Sequence, residues 1–384
     1  MKGKLRFLAK IVTVVLLWGC SSGNSGLDTD TPSLRIAMEP FFDIGTTLNR
    51  EQVILPEEDV LELVRHHFNV VTAENKMKWE SIQPMEGLFY FEPTDRFVEF
   101  ALENNMMIIG HTLVWHSQTP DWVFEDEEGN PVDRDLLIER MRKHIFTLVG
   151  RYKGKVYGWD VVNEAVLDDG SMRDSPWRQI IGDEYIQLAF EFAAQADPDA
   201  RLYYNDYSLP NESKREGVVR LVSQLQEKGV RIDGIGMQGH YHLDYPDLAD
   251  LENSIAAFAN LGVEVMITEL DINVLPMPDL NMVGAEVSTD FAYDERYNPY
   301  GEQLPDSVQQ QLARRYAGLF EVFVRNHASI SRVTFWGVHD GQSWLNNWPV
   351  RGRQNHPLLF DRELSPKPAF YEVLRVAEKF SPDN

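Results

Sequence analysis

Apolar residues along this chain fall into two alternating kinds of run, short β-type blocks and longer stretches with helical period. The blocks lie at 43–48, 70–74, 106–112, 156–163, 201–205, 234–238, 263–269 and 332–337. Apolar positions of helical spacing occupy 57–68, 95–104, 134–152, 184–196, 213–228, 248–261, 307–327 and 368–380. The blocks are nearly continuous in Val, Ile, Leu and Met, as parallel strands covered on both faces must be. Eight strand-then-helix units predict an α/β chain folded as one (β/α)8 TIM barrel. No Pro/Gly-rich linker divides it, so a single domain over 35–384 is expected. The chief irregularity is 271–303, rich in Pro, Gly and Asn. A segment so long and aperiodic, placed after a barrel strand, predicts a functional loop on the carboxyl face.

Composition changes this picture in three ways. The 384 residues carry 36 Lys and Arg against 60 Asp and Glu, a net charge of −24. Such a surface argues against nucleic acid and anionic membranes, which need basic patches, and is compatible with a neutral ligand. Nine Trp and fourteen Tyr are many for one domain. They are either packing or flat platforms for sugar rings. The one cysteine, Cys20, allows no internal disulfide. It closes a run in which Lys2, Lys4, Arg6 and Lys10 precede the apolar stretch 11–18 and Gly19. That is an export leader over 1–20, too short to span a bilayer as a mature helix. Residues 21–34 follow as a Gly/Ser/Asn/Asp tether without apolar period. Gly19-Cys20 resembles a bacterial lipoprotein cleavage site, which implies a lipidated Cys20 and a place in the cell envelope, at the periplasm or cell surface. Simple secretion is the alternative. Membrane contact is expected only through that lipid.

The chemistry lies where strands give way to loops. Trp159-Asp160-Val161-Val162-Asn163-Glu164 ends the fourth block, and Val265-Met266-Ile267-Thr268-Glu269-Leu270-Asp271 ends the seventh. In a barrel both ends open on the same mouth. Cleavage of a glycosidic bond needs such a pair, one carboxylic acid for the leaving oxygen and one carboxylate for the anomeric carbon. Salt bridging around the barrel top is the bland alternative for either one alone. No metal site is expected: His111 and His116 lack a Cys or acidic companion that would complete a ligand set. Gly234-Ile235-Gly236 lacks the rest of a dinucleotide fingerprint and reads as strand packing. No cofactor is expected.

From Glu39 to Phe380 the chain resembles glycoside hydrolase family 10 endo-β-1,4-xylanases. The matching stretches, in the family's order, are 72–79 (TAENKMKW), 110–118 (GHTLVWHSQ), 159–164 (WDVVNE), 236–240 (GMQGH), 268–271 (TELD), 336–338 (WGV) and 357–361 (PLLFD). The resemblance implies Glu164 as general acid/base and Glu269 as nucleophile, acting with retention of anomeric configuration. It implies that Asn163 bonds the sugar 2-hydroxyl, and that His240, in the motif with Gln238, bonds Glu269 and is oriented by Asp271. Glu74, Asn75 and Lys78 would bond the sugar on the non-reducing side, with His111, Trp115 and Gln118 beside the scissile bond. Trp336 and Trp344 would form an aromatic wall, while Asn205 and Tyr207 would serve reducing-side subsites. His116 is left behind these groups. The implied partner is xylan or a xylo-oligosaccharide, bound by a monomer. Two departures stand out: His339 replaces a small polar residue, and Leu345-Asn346-Asn347-Trp348 replaces a more usual basic one. The rivals are a retaining endoglucanase and a non-catalytic glycan-binding lipoprotein. A covalent intermediate would also permit transfer to sugar acceptors.

Overall fold

The computed structural model describes residues 31–278 and 290–381. The leader, Cys20 and most of the tether lie outside the described residues. Among the described residues there are nine strands: β1 Asp43–Leu48, β2 Val70–Ala73, β3 Met107–Val114, β4 Gly158–Asn163, β5 Arg201–Asp206, β6 Gly234–Met237, β7 His240–His242, β8 Glu264–Asn273 and β9 Ile330–Phe335. Every pairing is parallel, and the order closes on itself because β1 pairs with β9 and β6 pairs with β8. The short β7 continues the line of β6 and pairs only with the last residues of β8, His240 opposite Asp271 and His242 opposite Asn273. The result is the expected eight-stranded barrel with one appended strand at its carboxyl mouth.

Amphipathic helices cover the outside, the largest being Arg134–Arg151, Glu212–Glu227 and Asp306–Arg325. Their starts follow local rules. The Asp133 side chain accepts from Leu136 N, and Ser175 caps the helix that Pro176 begins. The main core fills the space between sheet and helices, while Val70, Ile109, Tyr203 and Met266 form a separate cluster within the barrel. Among the described residues no helix is long and apolar enough to cross a membrane.

Three expectations are corrected. The folded domain begins before residue 35, since Thr31, Ser33 and Leu34 are buried and Leu34–Met38 is a helical turn. Leu34 and Met38 lie one turn apart and both face the core, which ties down the end of the supposed tether. β8 runs four residues past the expected end at Glu269, because β7 supplies it with a second partner there. β3 also runs on to Val114, with a bulge against β4 between His111 and Val114. The long 271–303 segment lies partly outside the described residues. Its described end packs on the loop after β9, through a bridge from Phe291 to Val350.

Glycine at 110 is set by its neighbour. A Cβ there would sit 2.1 Å from Cε3 of Trp159, the residue opposite on β4, and Trp159 is fully buried. Gly110→Ala is expected to cost about 1–3 kcal/mol through overpacking. It should appear as a lower denaturant midpoint with an unchanged slope.

Candidate active site

The two carboxylates arrive at the mouth by different routes. Glu269 sits within β8, its backbone N donating to Gln238 O at 2.6 Å. Glu164 is the first residue past β4 and has φ +59°, a left-handed conformation that costs a side-chain-bearing residue energy. The turn persists because its backbone is fastened to β5: Glu164 N donates to Asn205 O at 2.9 Å, and Ala165 N to the Tyr204 phenol at 3.1 Å. The turn aims the Glu164 carboxyl into the barrel mouth, where it is 3 % exposed, against 5 % for Glu269.

Amides join the two acids. Glu164 Oε1 accepts from Gln238 Nε2 at 2.9 Å and from Asn163 Nδ2 at 3.2 Å, and Oε2 accepts from Trp115 Nε1 at 2.8 Å. The Asn205 Nδ2 donates to Glu269 Oε1 at 2.7 Å and to Asn163 Oδ1 at 2.9 Å. Thr268 Oγ1 donates to Asn205 Oδ1 at 2.6 Å, which fixes the amide's orientation. On the other oxygen of Glu269, His240 Nε2 lies at 3.2 Å, and His240 Nδ1 meets Asp271 Oδ1 at 3.0 Å. Trp344 Nε1 completes this row by donating to Asp271 Oδ2 at 2.7 Å.

These surroundings split the two pKa values. For Glu164, burial is the largest influence and raises the pKa from 4.5; Asp206 adds to it, while His116 and the bonds from Gln238 and Trp115 oppose. The charge that assists burial is thus Asp206. Burial would raise Glu269 too. There the bond from His240 and the electrostatic influence of His111, His240 and Lys78 outweigh it, and the pKa is lowered. His240 is pulled down by burial, but Asp271 and Glu269 prevail and push it up to about 10. At neutral pH it is therefore a cation held between two carboxylates. The surroundings thus bias one acid toward holding its proton and the other toward ionisation.

The cleft above them is lined by Glu74, Asn75, Lys78, His111, Trp115, Gln118, Asn163, Gln238, His240, Trp336 and Trp344, besides the two acids. Lys78 is buried, which lowers its pKa against the pull of Glu269 and Glu74. Its Nζ donates to Asn75 Oδ1 and Gln118 Oε1, both at 2.8 Å, and stands 5.0 Å from the Trp115 ring. His111 is held by Asp160 at 2.9 Å and meets the edge of Trp336 at 5.3 Å. These groups present directed donors beside flat apolar faces, the combination a sugar ring needs.

Two residues expected at reducing-side subsites stand outside the lining of this cleft. Asn205 is fully buried and braces Glu269 and Asn163. Tyr207 is also buried off the cleft, its phenol accepting from Arg173 Nη2 at 2.8 Å and its ring under Lys214 at 3.4 Å. β5 runs to Asp206, one residue further than expected. Asp271 lies behind the cleft, on His240. Trp348, in the departure after Trp344, stacks on Trp344 at 4.6 Å. Sequence reasoning missed Arg353, which donates to Pro276 O and Leu345 O beneath that wall. The departure at His339 serves a turn: its Nδ1 accepts from Gly341 N at 3.3 Å. Among the described residues no group of His, Cys, Asp and Glu could hold a metal ion.

A barrel whose mouth holds two buried carboxyls, one biased toward its proton and one toward ionisation, under an aromatic-walled cleft, has the machinery of a glycoside hydrolase. Comparison with known proteins agrees, and the chain belongs to glycosyl hydrolase family 10, whose sequence profile matches residues 33–376. It is 47% identical over 347 residues to endo-1,4-beta-xylanase A of Xylanibacter ruminicola, covering 90% of this chain and 94% of that one. An endo-1,4-beta-xylanase of Geobacillus stearothermophilus is 45% identical, over 90% of this chain and 98% of its own. A family 10 endoxylanase from a sugarcane soil metagenome superposes with a TM-score of 0.85 at 41% identity, covering 90% of this chain and all of that one.

Carboxyl-carbon NMR should place the titration of Glu164 above 4.5 and that of Glu269 below it. Asp271→Asn removes the charge that keeps His240 protonated, so Glu269 should titrate at higher pH than in the parent protein.

Proposed function

We propose that the chain is an endo-1,4-β-xylanase that works by double displacement with retention. The observation that carries this reading is the opposite tuning of two acids in one cleft. Glu269, ionised by its contact with charged His240, attacks the anomeric carbon, while Glu164 gives its proton to the departing glycosidic oxygen. The sugar is then esterified to Glu269, whose negative charge is gone. Glu164, now a carboxylate, takes a proton from water as that water attacks the same carbon, and Glu269 leaves in its original state. Two successive inversions restore the starting configuration. Asn163, whose Nδ2 and Oδ1 already face Glu164 and Asn205, is placed to meet the 2-hydroxyl of the reacting sugar. Glu74, Asn75, Lys78 and Gln118 hold the sugars on the non-reducing side.

The xylan assignment is supported by the names of the relatives and by the tight lysine-centred corner of Lys78, Asn75 and Gln118. Xylose lacks the hydroxymethyl group of glucose, and a wall closed by Gln118 and Trp344 suits the smaller ring. A glycan binder without turnover would need the aromatics but not this acid pair. Outside the described residues, the basic and apolar leader ending in Gly19-Cys20 supports export and a lipid on Cys20, with the barrel acting as a monomer at the cell envelope.

On xylan, proton NMR should show the β-anomer as the first product, and rates should exceed those on β-glucan. Glu164→Gln should lower turnover of xylan by about 10²–10⁴-fold. Glu269→Ala should abolish turnover yet still bind xylo-oligosaccharide; an inverted first product, or turnover by Glu269→Ala, would refute the mechanism. Cells given labelled palmitate should incorporate it into the full-length protein and not into Cys20→Ala.

A further inference from the structure

Behind Glu164 lies a charged pair that the reaction described above does not use. Asp206, the last residue of β5, and Lys214, in the helix Glu212–Glu227, are both fully buried, with Nζ 2.9 Å from Oδ1. A second carboxylate, Asp168, reaches the same ammonium at 3.4 Å. Asp206 is also a fastening point for the Glu164 turn. Its Oδ2 accepts from Val166 N at 3.4 Å and from the phenol of Tyr204, whose oxygen in turn accepts from Ala165 N at 3.1 Å. Oδ1 accepts from Tyr207 N at 2.9 Å. Glu164 O accepts from Arg173 Nε at 2.9 Å. The left-handed turn is therefore bonded, residue by residue, to Tyr204, Asn205 and Asp206.

Burial of an ion pair is weak evidence for stability, because apolar side chains of the same shape serve packing as well or better. Charge at this place points to work that only charge can do. We propose that Asp206 and Lys214 are a positioning pair for Glu164: the carboxylate seats the turn that carries the acid/base side chain and biases its proton, and the ammonium sets how strongly that carboxylate acts. The inference rests on the acid/base reading of Glu164.

The groups facing Glu164 come from several elements. His116 follows β3, Asp206 ends β5, Tyr207 follows it, and Arg173 lies in the loop after β4; Lys78 and Glu269 stand at the cleft. Of these, Asp206 adds to burial in raising the Glu164 pKa, and His116 opposes. Asp206 itself faces Lys214, Asp168 and the phenols of Tyr204, Tyr185 and Tyr207. Weakening Asp206 and weakening Lys214 must therefore push the Glu164 proton in opposite directions.

The test reads the alkaline limb of kcat/KM on xylo-oligosaccharides, which reports the acid of the free enzyme. Glu164→Gln should be slow and lack this limb; a limb that survives there at its parent position refutes the acid/base reading, whatever the pair does. In Asp206→Asn the limb should move to lower pH, and in Lys214→Met to higher pH, each by about half a unit. The double variant should return toward the parent. A pair that only packs would lower the melting temperature without giving the two shifts opposite signs. Limbs that do not move, or that move the same way in both single variants, overturn the proposal. If Lys214→Met does not fold, the remaining two variants decide: the limb must fall in Asp206→Asn and rise again in the double variant.

Discussion

Two carboxyl groups buried in one cleft resist ionisation and repel each other once ionised, and the mouth of this barrel is arranged around that conflict. The protein resolves it by treating the two unequally. Glu269 receives a cation, His240, which Asp271 holds protonated and Trp344 helps to anchor. Glu164 receives only neutral donors from Trp115, Gln238 and Asn163, with the charge of Asp206 behind it. Burial acts on both, so the difference in their protonation comes from their partners alone.

The same partners tie chemistry to substrate contact. Trp344 belongs to the aromatic wall and also bonds Asp271, so the wall that meets the sugar is continuous with the row that charges the nucleophile. Arg353 and Trp348 support that wall from beneath, across the loops that follow β8 and β9. On the far side, Lys78 unites Asn75 and Gln118 while its cation faces Glu269. The fifth strand is the strut between the halves. Tyr204 and Asp206 fasten the Glu164 turn, and the Asn205 side chain reaches Glu269 and Asn163. A shift of this strand would disturb both acids together.

Much of this could be read from the chain before any coordinates. Near-continuous apolar blocks alternating with helical periods define a covered parallel sheet, and eight such units close into a barrel. A carboxylate at each of two strand ends then falls at one mouth by the geometry of the fold, although a hundred residues of chain lie between them. Linear patterns carry this information because strand and helix periods are local properties of the backbone.

Asn205 shows where such patterns stop. It was expected to reach sugar, because its turn resembles the family's, yet it lies buried as a brace for Glu269. Whether a strand-end side chain turns into the barrel, into the cleft or behind it depends on register against its neighbours, which local sequence does not encode. Asp206 and Lys214 were silent for the same reason: a charge looks solvated until packing buries it. The sequence by itself determined the barrel, the two acids and the aromatic character of the cleft. The resemblance assigned the acid role to Glu164, and only the tertiary structure supplied the cause, because a pKa depends on burial and on charges that folding brings from distant strands.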